Sequence, residues 1–310
     1  PGPSSSSPDH FVNVNGSLFF SANDHINGEE FWKSDGTDLG TVMVKDINAG
    51  TKDSGPGYNF TNLNNTLFLA AADDISGREL WKSDGTETGT VVFKDINVGT
   101  TSSNPKNLTN VNGTLFFSAS DGVNGTELWK SDGTETGTVV VKDIDVGVTS
   151  SNPTNLTNIN GTLFFSASDG VNGIELWKSD GTEAGTMMVK DIFAGSITSN
   201  PKLMTNVNGT LFLSANDGVN GAELWKSDGT ETGTVMVKDI NAGAGSSSPS
   251  HLVNVNGSLF FTANDGVNGT ELWKSDGTVA STVVVKDINI GTNSSNPSFL
   301  ANENGILFFR

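Results

Sequence analysis

Cysteine is absent from all 310 residues. That excludes a disulfide framework, a cysteine-based zinc cluster and a thiol nucleophile together. Export remains open, because a chain able to bury a large core needs no disulfide staples. No run of 18 apolar residues occurs, so no segment reads as a membrane-spanning helix. Basic residues are scarce as well: 17 Lys and Arg face 35 Asp and Glu, for a formal net charge of −18. Such a balance repels nucleic acid and anionic membrane and carries some affinity for divalent cations. It equally suits solubility of an exported or salt-adapted protein. Histidine is limited to His10, His25 and His251, and neither His10 nor His251 stands beside an obvious nucleophile. Helical periodicity is missing too, with no i, i+3, i+4, i+7 pattern lasting eleven residues.

What the chain has instead is a repeat. The tryptophans Trp32, Trp81, Trp129, Trp177, Trp225 and Trp273 are spaced by 49 residues once and by 48 four times. Residues 107–154 and 155–202 are identical at 37 of 48 positions, so the repeat is the architecture. Of the 17 Lys and Arg, 12 fall at two fixed repeat positions, represented by Lys130 and Lys142.

Each repeat predicts four strands, in the third copy over 107–111, 114–120, 127–131 and 138–144, rich in Val, Leu, Phe, Trp and Thr. Asn112-Gly113 joins the first two, a strong hairpin signal because both central residues of a type I′ turn need positive φ. The predicted fold is all-β: a β-propeller of about six four-stranded blades from ~48-residue repeats. A parallel β-solenoid is the alternative, disfavoured by a two-residue hairpin turn inside every repeat, Asn-Gly in all copies but the second, which has Asn64-Asn65. Successive apolar positions, as in Leu115-Phe116-Phe117, suit blades packed on both faces, with the Trp and Phe rings filling the space between them.

Seven such hairpins accompany only six tryptophan segments. The expected organisation is a linker or processed segment at 1–8, a six-repeat propeller at 9–296 and a surplus seventh-repeat hairpin at 297–310, left by a continuing chain or used for closure or inter-chain pairing.

At Glu127-Leu128-Trp129-Lys130-Ser131-Asp132-Gly133-Thr134, followed by Gly137-Thr138 and Val141-Lys142-Asp143-Ile144, the chain resembles the bacterial ELWxxDGT-repeat proteins, which are large secreted or cell-surface polypeptides. The resemblance covers nearly the whole chain. It implies a propeller-like domain outside the cytoplasm, extracellular or at the cell surface. The first copy departs from the motif with Glu30-Phe31-Trp32, and the sixth has Val279-Ala280-Ser281 where the others carry a Gly before Thr. The Ser131-Asp132-Gly133-Thr134 turn is also distantly similar to the Asp-box hairpin of sialidase-type propellers. Its Asp, like Asp35, Asp84, Asp180, Asp228 and Asp276, reads as a turn-former.

The best metal candidate is the loop Asp121-Gly122-Val123-Asn124-Gly125-Thr126-Glu127, because hard oxygen ligands on a short Gly-rich loop suit Ca²⁺. The predicted ligand sets are Asp121, Asn124 and Glu127; Asp169, Asn172 and Glu175; Asp217, Asn220 and Glu223; and Asp265, Asn268 and Glu271. Asp24 and Asp73 lead the loops of the first two copies, and Ser76 replaces Asn in the second. The competing reading is a plain hairpin loop. Weak calcium binding is the only cofactor expected.

An enzyme needs one asymmetric constellation, which near-identical repeats do not supply, so no catalytic residues are expected. Two classes compete: a structural building block of a bacterial surface layer, fibre or matrix, acting through self-association or continuing repeats, and a multivalent lectin-like binder of surface glycans. Aromatics confined to strands favour the first. Neither nucleic acid nor membrane insertion is expected.

Overall fold

The computed structural model describes residues 5–310. Of the expected linker, residues 1–4 lie outside the described residues, and 5–8 are exposed and outside any strand. The fold is all-β: six four-stranded antiparallel sheets, each with its strands in consecutive order, and one two-stranded hairpin. These are six blades of β-propeller type, at 9–45, 57–94, 106–142, 154–190, 202–238 and 250–286, followed by the hairpin of Ala301–Glu303 and Ile306–Phe308. Among the described residues no helix is long and apolar enough to cross a membrane.

The third blade shows how the sequence dictates the sheet. Its strands are Lys106–Val111, Thr114–Ser120, Thr126–Ser131 and Val139–Lys142. Asn112 and Gly113 take φ of 50° and 87°, as a tight I′ hairpin requires, and the Asn110 side chain accepts the Gly113 N–H at 2.9 Å. The first strand bulges where Asn107 takes a positive φ, and His10, Asn155, Leu203 and His251 do the same in their copies.

The chain divides into two compact units, Pro1–Pro153 and Thr154–Arg310. In the first, one core cluster joins Phe19, Phe31, Val44 and Ile47 of the first blade to Leu67, Leu69, Ala71 and Trp81 of the second. Another joins Phe68, Leu80, Phe93 and Ile96 to Leu115, Phe117, Ala119 and Trp129 of the third. The second unit repeats this arrangement. Phe164, Leu176, Val189 and Ile192 pack with Leu211, Leu213, Ala215 and Trp225, and Phe212, Leu224, Val237 and Ile240 pack with Leu259, Phe261, Ala263 and Trp273. The core is thus divided among the junctions between blades. Five tryptophans are buried, and Trp32 is partly exposed.

Candidate functional site

The predicted calcium ligands are engaged in two separate sets of hydrogen bonds. Asp121 and Asn124 do meet, but as acceptor and donor: Asp121 Oδ1 accepts the N–H of Val123 at 2.9 Å and of Asn124 at 2.8 Å, while Oδ2 accepts the Asn124 amide at 2.8 Å. Asp169 with Asn172, Asp217 with Asn220, Asp265 with Asn268 and Asp24 with Asn27 close the same ring. Asp73 accepts from the Ile75 and Ser76 backbone instead. Burial pushes the Asp121 carboxyl up, yet the N–H groups of Asn124 and Val123 and the Asn124 amide outweigh it and hold it below the ordinary Asp value. These carboxylates already accept hydrogen bonds from within their own loop.

Glu127 is not part of that ring. It lies fully buried on the third strand and reaches into the segment leading to the next repeat. Its Oε2 accepts the Ile144 N–H at 2.9 Å and the Ser151 hydroxyl at 2.6 Å, and its Oε1 accepts the Ser151 N–H at 2.7 Å. Glu175, Glu223 and Glu271, the other predicted ligands, bind Ser199, Ser247 and Ser295 in the same way, and Glu30 and Glu79 bind Ser54 and Ser103. Burial pushes the Glu127 carboxyl above its ordinary value, the Ser151 and Ile144 donors pull it back, and nearby Asp143 adds to the upward push. Asp143 accepts the Gly147 N–H through Oδ2, and its buried Oδ1 has no hydrogen-bond partner. Among the described residues no three His, Cys, Asp or Glu side chains converge to hold a metal.

The Asp-Gly-Thr turns behave as the sequence predicts. Asp132 Oδ1 accepts both the N–H and hydroxyl of Thr134, at 2.8 and 2.7 Å, and these bonds hold its carboxyl below the ordinary range. A Cβ on Gly137 would lie 2.1 Å from that carboxylate oxygen, so any other residue there must shift the Asp132 side chain. The sixth copy resolves the clash differently, because the Ser281 hydroxyl hydrogen-bonds Asp276 Oδ1.

Sequence reasoning missed the role of the two repeated lysines. In the first unit, Lys33 Nζ reaches the Gly85 carbonyl of the following blade at 2.8 Å, and Lys45 Nζ reaches that of Thr90 at 2.7 Å. In the second, Lys178 binds Gly229 O, Lys190 binds Thr234 O, Lys226 binds Gly277 O and Lys238 binds Thr282 O, all within 2.8–2.9 Å. Lys238 also lies 5.7 Å from the Trp273 ring centroid. The available signal was their fixed spacing in a chain otherwise poor in positive charge.

His10 Nδ1 and His251 Nδ1 each lie 3.4 Å from a hydroxyl, Ser21 and Thr262, which the sequence did not reveal. In other copies the same position is Asn107 or Asn155, whose amides approach Ser118 and Ser166. The contact is therefore a strand-bulge bond that asparagine makes equally well. Ser21 and Thr262 are themselves buried.

Equivalent polar clefts open at two blade junctions, one within each unit. The cleft of about 180 Å³ is lined by Asn160, Thr162, Phe164, Lys178, Ser227 and Asp228, and that of about 150 Å³ by Asn15, Ser17, Phe19, Asn65, Ser83 and Asp84. In the larger one the ammonium of Lys178 already binds Gly229 O, and Asp228 Oδ1 already holds Thr230.

No protein-family model matches the chain, and no curated protein matches it. Among solved structures it is similar to a prolyl endopeptidase, at a TM-score of 0.56 and 14% identity over 90% of this chain and 40% of that one. It is also similar to a puromycin-hydrolysing peptidase of Mycobacterium tuberculosis (TM-score 0.52, 9% identity, 96% of this chain and 50% of that one). Prolyl oligopeptidase B from Galerina marginata is comparable, with TM-score 0.52 and 9% identity over 88% and 40%. The chain spans only 40–50% of these peptidases, and at such identities the likeness concerns the fold.

Proposed function

We propose that this chain is a non-enzymatic structural repeat domain of a bacterial extracellular or cell-surface assembly, of the ELWxxDGT type, built through association of copies or of continuing repeats. One observation carries the reading: the charged side chains of the repeat are engaged in scaffolding in most of its copies. Glutamates anchor the segments between repeats, aspartates close turns, and lysines bind carbonyls of the following blade. The peptidases that share the fold are larger chains, and their activity is not carried over here. Purified protein should form concentration-dependent oligomers or ordered polymers, visible by sedimentation and electron microscopy. Deleting residues from Pro297 onward should leave folded blades and reduce that association. Hydrolysis of prolyl peptide substrates by the intact chain would defeat the non-enzymatic reading.

A second reading, a multivalent lectin-like binder of surface glycans, draws support from the equivalent polar clefts. A monodisperse monomer that binds one class of glycan, with loss of binding on Asp228→Ala, would put it first.

A further inference from the structure

Asparagine followed by glycine is the dipeptide most prone to react with itself, because no side chain shields the glycine nitrogen. That nitrogen attacks the asparagine Cγ. An N–Cγ bond closes a five-membered succinimide, the Cγ–Nδ2 bond breaks, and the amide leaves as ammonia with the proton the glycine nitrogen gave up. Water then opens the ring to aspartate or isoaspartate. The chain has eleven such pairs, and the fold divides them into two groups.

Six begin at Asn15, Asn112, Asn160, Asn208, Asn256 and Asn304, in the hairpins between first and second strands. In all six the nucleophile is tied up. The glycine N–H is donated to the side-chain oxygen of the asparagine two residues before the pair, Asn13, Asn110, Asn158, Asn206, Asn254 or Asn302, at 2.8–3.1 Å. That asparagine is itself fixed where its amide reaches the preceding hairpin, as Asn110 does to Asn62 O at 3.0 Å and Asn254 to Asn206 O at 3.1 Å. At two hairpins the reacting amide is held as well, Asn208 Nδ2 by Gly257 O and Asn256 Nδ2 by Gly305 O. Ring closure there must first break a hydrogen bond and then remove the proton that made it.

The other five begin at Asn27, Asn124, Asn172, Asn220 and Asn268, in the loops between second and third strands. Here the N–H of Gly28, Gly125, Gly173, Gly221 or Gly269 has no acceptor among the described residues. The asparagines are partly exposed, and the residue before each, such as Val123, is fully at the surface, so water reaches the ring once it forms. Only the amide is restrained, by Asp121 Oδ2 at 2.8 Å in the third copy. That bond engages the nitrogen that leaves, not the carbon that is attacked.

We propose that Asn27, Asn124, Asn172, Asn220 and Asn268 are sites of spontaneous modification, each converted by its own glycine into aspartate and isoaspartate, and that Asn110 and its equivalents withhold the hairpin pairs from the same reaction. The product changes the loop it forms in. At position 124 a carboxylate replaces the amide that Asp121 Oδ2 accepts from, so two like charges face each other where a donor met an acceptor. Each event adds one negative charge to a chain already at −18 and unfastens one loop. This chemistry is independent of whether copies assemble or bind glycans.

The test ages the intact protein in warm, mildly alkaline buffer and maps its peptides by mass spectrometry, where each event adds one mass unit at one asparagine. The five loop asparagines should react at least tenfold faster than Asn112, Asn160, Asn208 and Asn256 in the same molecules, and isoelectric focusing should show a ladder of more acidic species. Unfolding the protein in urea should erase the difference. Asn110→Ala should speed Asn112 at least tenfold while Asn160, with Asn158 intact, stays slow and serves as the internal control for folding. Asn110→Asp keeps an acceptor for the Gly113 N–H and should leave Asn112 slow. Loop asparagines still intact when the urea control has fully reacted, or hairpins that react as fast as loops, overturn the proposal. So does an Asn112 rate that Asn110→Ala leaves unchanged, or one that Asn110→Asp raises as much as Asn110→Ala does.

Discussion

The junction between the fifth and sixth blades and the face beyond the sixth blade are made from nearly the same residues. Val237 and Ile240 belong to Val-Met-Val-Lys-Asp-Ile, and Val285 and Ile288 to Val-Val-Val-Lys-Asp-Ile. Only the former are sealed, under Leu259, Phe261, Ala263 and Trp273. Burial here belongs to the junction and not to the repeat that supplies one side of it. A repeat of this kind has no complete core of its own, and its stability comes from what its neighbour lays over it.

The strongest way to break this comparison is to truncate matched isoleucines. Ile240→Ala should cost roughly 2–5 kcal/mol, as large-to-small changes at buried sites do, and Ile288→Ala well under half as much, by denaturant unfolding. Equal losses would mean that the two faces are equally covered in solution. Next come the anchoring serines. Ser247→Ala removes the hydroxyl bond to buried Glu223 and should cost about 1–3 kcal/mol. Ser295→Ala should cost less, because the equivalent bond to Glu271 is only part-buried. A smaller contrast is expected of the lysines. Lys226→Met should lose about 1 kcal/mol, and Lys274→Met almost nothing, because Lys274 is exposed.

The gentlest probe is acid. Burial holds Glu30, Glu79, Glu127, Glu175 and Glu223 above the ordinary Glu value of 4.5, so the folded chain keeps their protons more firmly than the unfolded one. As pH falls through their raised values toward 4.5, stability should rise. Asp24, Asp121, Asp132, Asp169, Asp217, Asp228 and Asp265 are held below the ordinary Asp value of 3.8, and stability should fall as pH drops through those depressed values. Denaturation midpoints should therefore peak on the acid side of neutrality, above 3.8. A midpoint that declines steadily from pH 7 would show that the glutamates are hydrated in solution.

The blades were legible in the sequence because their signals are local. Asn112-Gly113 fixes a turn by backbone sterics, and the expected strand at 114–120 is the observed one. Asp132 and Thr134 likewise settle their geometry within three residues. The candidate site was legible only in part for the same reason. Asp121 and Asn124 meet inside a four-residue loop, whereas Glu127 seeks partners 17 and 24 residues downstream, beyond an intervening strand. Nothing in the loop announces that choice. The lysines pose the harder case, because Lys226 meets a backbone carbonyl 51 residues away, and a carbonyl carries no residue identity to search for.

The glutamate anchors also set how such a chain would answer to tension. Glu79 on a third strand holds Ser103 in the connecting segment, and the Ser103 carbonyl accepts the Ser120 N–H of the next second strand at 2.9 Å. The cohesive block thus runs from the middle of one blade to the middle of the next, half a period out of phase with the sheets. Under a stretching force a blade should not peel away at its own boundary. Each rupture should free one offset period of 48 residues, lengthening the chain by about 160–170 Å, so that an array of these repeats would yield in equal steps, as a ratchet does.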